Sequence, residues 1–456
     1  MQVEPARSLL CYSNDQALGS WGIVSMQTIF FYEHQYRSYA EIGLPPEHAV
    51  YEQLEQINRQ AKKEILTLTR KGVRANEMVG VIQAGPVTFQ ILPKIDQPGT
   101  GQDAAAAVLN LLFLLSYAYD LKLHLPDLAR LASRHANWYE FLTFLFASDL
   151  HRQVQRGFAH SYIQREEALP VIRGRWDLNQ QIGRHAFVKD RFDVTFDEFS
   201  PDIRLNQILR FVVERLRQTT NDARNLALLS DLSAWFDPVT LLADIPLAEL
   251  DQVVFDRLNE RFQPAFQLAR LFLSQQSLSL QSGRTASFAF LLDMNRLFER
   301  FVARFLERHH KQIFAGRWKN IQIQAQAKGA KVYLGKRMTA GSPTPIAQLK
   351  PDLLFRQPGF TRPDLIMDTK YKQLDPAAAR RGVAESDLYQ MLAYITRFEC
   401  EETILLYPQP SARAAIHELF ILEPAQARVW IHTINLHQPL KSAETLFPEF
   451  QRIFKP

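Results

Sequence analysis

Leu349-Lys350-Pro351-Asp352 is followed by a short apolar run, a turn-rich stretch from Gln357 to Pro363, and then Leu365-Ile366-Met367-Asp368-Thr369-Lys370. Pro351 to Arg356 and Leu365 to Tyr371 have strand character, and the Gly, Pro and polar residues between them make a hairpin turn. A hairpin symmetric about Phe360 sets Asp352 opposite Asp368, with Cβ atoms roughly 4.5–5.5 Å apart. Two carboxylates that close repel unless one is protonated or a cation lies between them. Side chains alternate along the second strand, so Asp368 and Lys370 share a face while Thr369 points away. All-oxygen donors suit a hard ion, Mg²⁺ with Mn²⁺ as an alternative, rather than zinc. A cation that activates water, with a lysine beside it, is equipment for hydrolysing a phosphodiester. Pro363-Asp364 competes for the role of first carboxylate. Asp364, however, lies four residues before Asp368, about 13 Å along an extended strand at roughly 3.3 Å per residue. Asp352 is therefore the better candidate.

Two flanking segments carry further polar groups. Ser386-Asp387-Leu388-Tyr389-Gln390-Met391-Leu392-Ala393-Tyr394 reads as a helix, with Ser386 or Asp387 available to cap it. Gln390 and Tyr394 fall on one of its faces at i, i+4. Upstream, Phe290 to Lys311 is expected as one long helix, with Leu297, Phe298, Phe301, Val302, Phe305 and Leu306 as its buried stripe. Glu299 sits at the margin of that stripe. An Asp beginning one strand, Asp-x-Lys in the next, a Gln-x-x-x-Tyr helix after it and a Glu-bearing helix before it resemble the PD-(D/E)xK nuclease core. That resemblance implies catalytic roles for Asp352, Asp368, Lys370, Glu299, Gln390 and Tyr394, with Asp352, Asp368 and Glu299 as metal ligands.

The upstream helix also carries Arg296, Arg300, Arg304 and Arg308 at every fourth position. Residues 286–456 hold 24 basic and 16 acidic side chains, net +8, whereas the whole chain is only +5. The remaining residues are thus slightly acidic, and basic charge concentrates where the two aspartates lie. A face that tracks a phosphate backbone needs this distribution, and Lys372 joins the four arginines as a candidate DNA contact.

The resemblance narrows when the segments are taken in order. Asp293-Met294-Asn295-Arg296-Leu297-Phe298-Glu299-Arg300-Phe301, Leu349-Lys350-Pro351-Asp352, Asp368-Thr369-Lys370-Tyr371-Lys372, Asp387 to Tyr394 and Leu405-Leu406-Tyr407-Pro408 together resemble the McrC family. Ile91-Leu92-Pro93-Lys94-Ile95, Arg173-Gly174-Arg175 and Phe196-Asp197-Glu198-Phe199-Ser200 extend the likeness to about residues 79–408. Members of that family are the nuclease subunits of McrBC modification-dependent restriction systems. The resemblance implies a Mg²⁺-dependent endonuclease acting on double-stranded, 5-methylcytosine-containing DNA. It also implies a McrB-like AAA+ partner ring, which uses GTP and is stimulated by the McrC subunit. No Gly-x-x-x-x-Gly-Lys-Ser/Thr segment occurs in this chain, so nucleotide use falls to the partner.

Composition sets the outer bounds. At 456 residues, 46% hydrophobic and 22% charged, the chain has the make-up of an ordinary multidomain globular protein. Cys11 and Cys400 are its only cysteines, too few for a disulfide framework, a zinc site or an iron–sulfur cluster. The apolar run Ala104 to Tyr119 is shorter than the roughly 20 residues that span a bilayer, so it is expected as a buried helix. With no basic-then-apolar leader in the first residues, a cytoplasmic location without membrane contact is expected. The expected architecture is mixed α+β: a β-rich, ring-binding N-terminal domain over 1–100, a mainly helical middle over 101–285, and a restriction-endonuclease-like domain over 286–456. Pro98 to Gly101 is expected as a linker and Ser277 to Ser287 as a hinge. Two other functions are compatible with these residues: an adaptor that regulates a ring NTPase through a degenerate site, and a stand-alone nuclease.

Overall fold

The computed structural model describes residues 27–62, 64–94, 104–122, 137–185, 190–282, 285–325, 331–339, 342–409, 414–423 and 426–454. The expected Pro98–Gly101 linker and Cys11 lie outside the described residues. The fold is mixed α+β, as the sequence implied.

The N-terminal part is built on a five-stranded sheet in the order Gln27–Tyr32, Val87–Leu92, Val79–Ala84, Thr285–Leu292, Gln276–Ser282. The hairpin around Ala84-Gly85-Pro86 forms where the alternation and turn residues place it. One face of the sheet is covered by the helix Val50–Ala61, which buries Val50, Tyr51, Leu54 and Ile57 at helical spacing.

The last two strands of that sheet correct two expectations. Ser277 to Ser287 is not a hinge: Gln276–Ser282 and Thr285–Leu292 form an antiparallel hairpin, and the second strand pairs with Val79–Ala84. Gly80 makes this pairing possible, because a Cβ there would collide with the Phe290 carbonyl. Along Thr285–Leu292, Ala289 and Leu291 join the core under the Val50–Ala61 helix, while Phe288, Phe290 and Leu292 join the opposite core. A strand buried on both faces reads as a continuous apolar run, so Phe290 was expected in a helix. The helix begins instead at Met294, with the Asp293 carboxylate accepting from the backbone of Asn295 and Arg296, and runs to Arg308.

The middle region supplies the helices Ala104–Ala118, Trp138–Gln155, Arg204–Thr219, Ala223–Trp235 and Gln263–Ser274, together with the strands Ser161–Leu169 and Phe192–Ser200. Ala104–Ala118 is buried, as expected, and packs along Met294–Arg308 through Phe113 and Tyr117 against Phe301 and Phe305. Asn110, the polar residue inside its apolar run, donates to the Leu436 carbonyl and accepts from the Leu440 N–H. That pair ties the middle region to the C-terminal part at the cost of no unsatisfied amide.

The C-terminal part contains a six-stranded sheet in the order Gln322–Ala325, Leu353–Arg356, Leu365–Thr369, Glu402–Pro408, Ala427–Ile434, His417–Leu422. The three strands Leu365–Thr369, Glu402–Pro408 and Ala427–Ile434 are parallel, and their neighbours on either side are antiparallel. Period-two alternation sends Leu353, Phe355, Leu365 and Met367 to the face under Met294–Arg308. Leu354, Ile366, Leu405 and Tyr407 go to the face under the helix Glu385–Phe398, where they meet Met391 and Tyr394. The sheet is therefore clamped between the two helices that carry Glu299 and Gln390. Among the described residues no helix is long and apolar enough to cross a membrane.

Candidate active site

The hairpin register puts Leu353 opposite Met367, Leu354 opposite Ile366 and Phe355 opposite Leu365. Continued by one position it sets Asp352 opposite Asp368, the arrangement expected from symmetry about Phe360. Asp364 stands at the other end of the hairpin, where its N–H donates to Phe355 and its carboxylate accepts from the Gln357 N–H (2.8 and 2.9 Å). Its place is to close the turn.

Asp352 lies just before its strand, so its carboxylate is free of the ladder. The Lys370 N–H turns to the Leu406 carbonyl (2.9 Å), which leaves the Thr369 N–H facing the hairpin side. Asp352 Oδ2 accepts from that N–H and from the Thr369 hydroxyl, both at 2.7 Å. Thr369, expected to point away from the carboxylates, instead holds one of them. Burial, the neighbouring Asp368 and Glu299 push the Asp352 carboxyl up to about 7. Asp368 is 2% exposed, and its carboxyl is also raised, first by burial, against the opposing pull of Lys370.

Lys370 closes a ring of polar groups. Its ammonium lies 2.7 Å from Asp368 Oδ2 and donates to Gln390 Oε1 at 2.8 Å. The Gln390 amide donates to the Tyr394 hydroxyl, also at 2.8 Å, and the Tyr394 O–H in turn faces Asp368. Burial and the nearby Asp368 raise the Tyr394 hydroxyl far above its ordinary value, so it remains a donor. Burial alone would pull the Lys370 ammonium down; Asp368, Asp387 and Asp352 together push it up, and it remains a cation. The i, i+4 spacing of Gln390 and Tyr394 is what lets one helix face supply two members of the ring.

Behind the ring stands Asp387. Ser386 or Asp387 was expected to cap the helix, but it begins at Glu385 after Ala384, without a side-chain cap. Asp387 is 5% exposed and accepts from Lys372 Nζ (3.1 and 3.2 Å) and from the Tyr407 hydroxyl (3.1 Å). The Lys372 ammonium is thus engaged by a buried carboxylate. Tyr371, between the two lysines, donates to the buried Glu33 of the N-terminal part (2.8 Å) and packs its ring under the Lys94 ammonium. Lys94 belongs to the Ile91–Ile95 segment that carried part of the family likeness. Tyr371 and Glu33 escaped sequence reasoning because they are 338 positions apart in the chain; Thr369 and Asp387 escaped it because alternation and capping rules assign them other roles.

Glu299 is half-buried on Met294–Arg308, and its charge raises both aspartates. Among the described residues no group of three or more His, Cys, Asp or Glu side chains forms a ready metal cage. The pair fits a hard cation on other grounds. Both carboxyls are buried oxygen donors held against mutual repulsion. The arginine stripe is divided. Arg300 stacks over Tyr119 (5.3 Å), Arg304 pairs with Glu307 (3.1 Å), and Arg308 pairs with Asp120 while lying over Tyr117. Arg296 stands exposed.

Residues 73–408 match the family described as McrBC 5-methylcytosine restriction system component. Among solved structures, the chain is similar to one from the refined half-complex of the tetradecameric assembly of Thermococcus gammatolerans McrB AAA+ hexamers with bound McrC. Identity is 25% over 94% of this chain and 100% of that one, with a TM-score of 0.60. It is also similar to a chain of the cryo-EM structure of the Thermococcus gammatolerans McrBC complex, 29% identical over 64% of this chain and 89% of that one, with a TM-score of 0.48. No curated protein matches. The matched family covers most of the sequence, including every residue of the polar ring, and the chain belongs to the McrBC 5-methylcytosine restriction system component family.

Proposed function

We propose that this chain is the Mg²⁺-dependent endonuclease subunit of a McrBC-like restriction system and cuts double-stranded, 5-methylcytosine-containing DNA together with a McrB-like AAA+ GTPase ring. The observation that carries this reading is the closed ring Asp368–Lys370–Gln390–Tyr394, with Asp352 held opposite Asp368 by Thr369. A hard divalent cation held by Asp352 and Asp368, with Glu299 contributing directly or through water, would supply the Lewis acidity that phosphodiester hydrolysis requires. Lys370, kept charged by its carboxylate neighbours, orients the attacking water and stabilises negative charge developing on the phosphate. Gln390 fixes the lysine's direction from one side and Asp368 from the other. Tyr394 holds Gln390 in the acceptor orientation toward the ammonium.

The solved neighbour, a McrC bound to McrB hexamers, supports a ring partner of that kind for this chain. We assign the contact to the N-terminal part together with the Ser161–Leu169 and Phe192–Ser200 strands and the helix Leu178–His185 between them, where Tyr162, Phe199 and Ile182 stand exposed. The test mixes the chain with its ring partner, GTP, Mg²⁺ and methylated duplex. Cleavage is expected, and Asp368→Ala is expected to abolish it while leaving stimulated GTP hydrolysis in place. Undiminished cutting by Asp368→Ala would remove this site from the chemistry. A second reading is an adaptor with a degenerate site. Stimulated GTP hydrolysis without cleavage under either Mg²⁺ or Mn²⁺ would select it.

A further inference from the structure

The strands Val332–Thr339 and Ser342–Leu349 pair only with each other, forming a two-stranded antiparallel ribbon outside the main sheet. At roughly 3.3 Å per residue, eight residues per strand make a ribbon about 25 Å long. Its base is fixed to the candidate active site on both sides. Leu349 packs against the core under the Glu385–Phe398 helix, and only Lys350 and Pro351 separate it from Asp352. On the other strand, the Tyr333 carbonyl accepts from Arg397 of that same helix at 2.8 Å.

Among the described residues nothing covers the rest of the ribbon. Leu334, Met338 and Ile346 are 50%, 68% and 47% exposed, an unusual outlay of large apolar side chains on a free ribbon. Lys331, Lys336, Arg337 and Lys350 are exposed as well, and among the described residues none of them pairs with a carboxylate. The sequence from Arg308 to Pro351 contains no Asp or Glu at all. The register separates two faces. Leu334, Lys336 and Met338 lie on one; Arg337 and Ile346 lie on the other. Both faces thus carry a cation beside an apolar side chain. The arginine helix differs, because three of its four cations are spent on Tyr119, Glu307, Asp120 and Tyr117.

We infer that this ribbon is a duplex-DNA-binding arm that enters a groove beside the scissile phosphate and holds the substrate against Asp352 and Asp368. The inference rests on the nuclease reading given above and deepens it. The major groove of B-form DNA accepts a two-stranded ribbon. Unpaired lysine and arginine side chains meet the flanking phosphates, and the apolar side chains meet thymine methyls and sugar edges. The ribbon's attachment at both ends to elements of the site makes its position on DNA set the position of the cut.

The test measures binding of the full chain to a short duplex of fixed sequence, by fluorescence anisotropy across a salt series in Ca²⁺. Lys336→Gln with Arg337→Gln should weaken binding at least tenfold at low salt and reduce the log–log salt slope by about two, near one per lost phosphate contact. Met338→Ser with Ile346→Ser should weaken binding several-fold while leaving that slope unchanged. Arg59→Gln, on the helix Val50–Ala61 and paired with Glu55, should change neither quantity appreciably. All these residues are on the surface, so thermal unfolding should match the parent chain. If the parent binds duplex and the ribbon variants bind with the same affinity and slope, the arm is excluded and the nuclease reading stands. If the parent with its ring partner neither binds nor cuts duplex, the nuclease reading itself falls. Unaltered DNA binding combined with altered self-association in sedimentation would make the ribbon a protein interface and overturn the proposal.

Discussion

Asp352 and Asp368 are held together in a protein interior that favours neither being charged, and a cation or a proton must settle the balance. Burial, Asp368 and Glu299 move the Asp352 carboxyl from an ordinary 3.8 to about 7. The folded chain therefore holds a proton across a range where the unfolded chain has released it. The sign follows: stability contributed by protonated Asp352 is present below about pH 4 and falls as pH rises toward about 7. In EDTA, the parent chain should lose roughly 1–4 kcal/mol relative to Asp352→Asn across that window. Thermal unfolding at stepped pH checks this, and parallel curves for the two proteins would contradict it. Mg²⁺ should stabilise the parent more above the window than below it, because carboxylates bind the ion only when deprotonated. At Lys370 the expectation is different. Lys370→Ala should leave Mg²⁺ binding in calorimetry intact but lower the cleavage rate by about a hundredfold or more, because charge stabilisation is lost rather than a ligand. Weakened ion binding in Lys370→Ala would assign the lysine to assembling the metal site instead.

At the scale of elements, legibility followed how local each signal was. The Asp352–Asp368 register could be read because a short hairpin with one turn ties the two positions together. Lys370, Gln390 and Tyr394 were legible for the same reason: period two on a strand and i, i+4 on a helix are local rules. The Gln276–Ser282 strand was not, because Ser, Gln and Gly compose an edge strand as readily as a linker. The strand beside it, Thr285–Leu292, has no alternation to detect, although Asp293 in capping position marked the true helix start. Tyr371 was invisible as a site residue because its partner Glu33 is 338 positions away, and Thr369 because strand alternation says nothing of where its backbone N–H points. Tyr371 permits a direct measurement of one such distant contact. Its hydroxyl and the Lys94 N–H are donors to Glu33, whose carboxyl is raised chiefly by burial. Tyr371→Phe should cost about 1–3 kcal/mol by leaving a buried carboxylate short of a donor. Glu33→Gln should recover part of that loss in the Tyr371→Phe background, and a double-mutant cycle without coupling would show that the two groups act separately.

The whole molecule is more continuous than its sequence suggests. Charge and composition divide the chain near residue 285, with a basic C-terminal part and a slightly acidic remainder. Packing does not respect that division. The strand Thr285–Leu292 sits inside the N-terminal sheet between Val79–Ala84 and Gln276–Ser282. The Met294–Arg308 helix shares one hydrophobic core with the middle helices and the C-terminal sheet, including Phe113, Phe301, Leu353 and Leu406. Glu33 and Lys94 reach from the N-terminal part to the loop after Lys370. A fragment ending at residue 285 would remove an internal strand, strip Phe288, Phe290 and Leu292 from one core and Ala289 and Leu291 from the other, and leave Gln276–Ser282 unpaired. Losing even two large buried side chains exceeds the margin of many domains, at roughly 3–5 kcal/mol for each phenylalanine. That fragment should lack cooperative thermal unfolding and near-ultraviolet dichroism. A fragment ending at residue 292 restores the strand and should regain part of both signals, although it still exposes Phe113 and Tyr117. A fragment beginning at residue 286 should fail for the complementary reason, with Phe301 and Phe305 unpacked. Cooperative unfolding of the 1–285 fragment would show that the N-terminal sheet closes without its fourth strand. It would also reopen the hinge that the composition suggested.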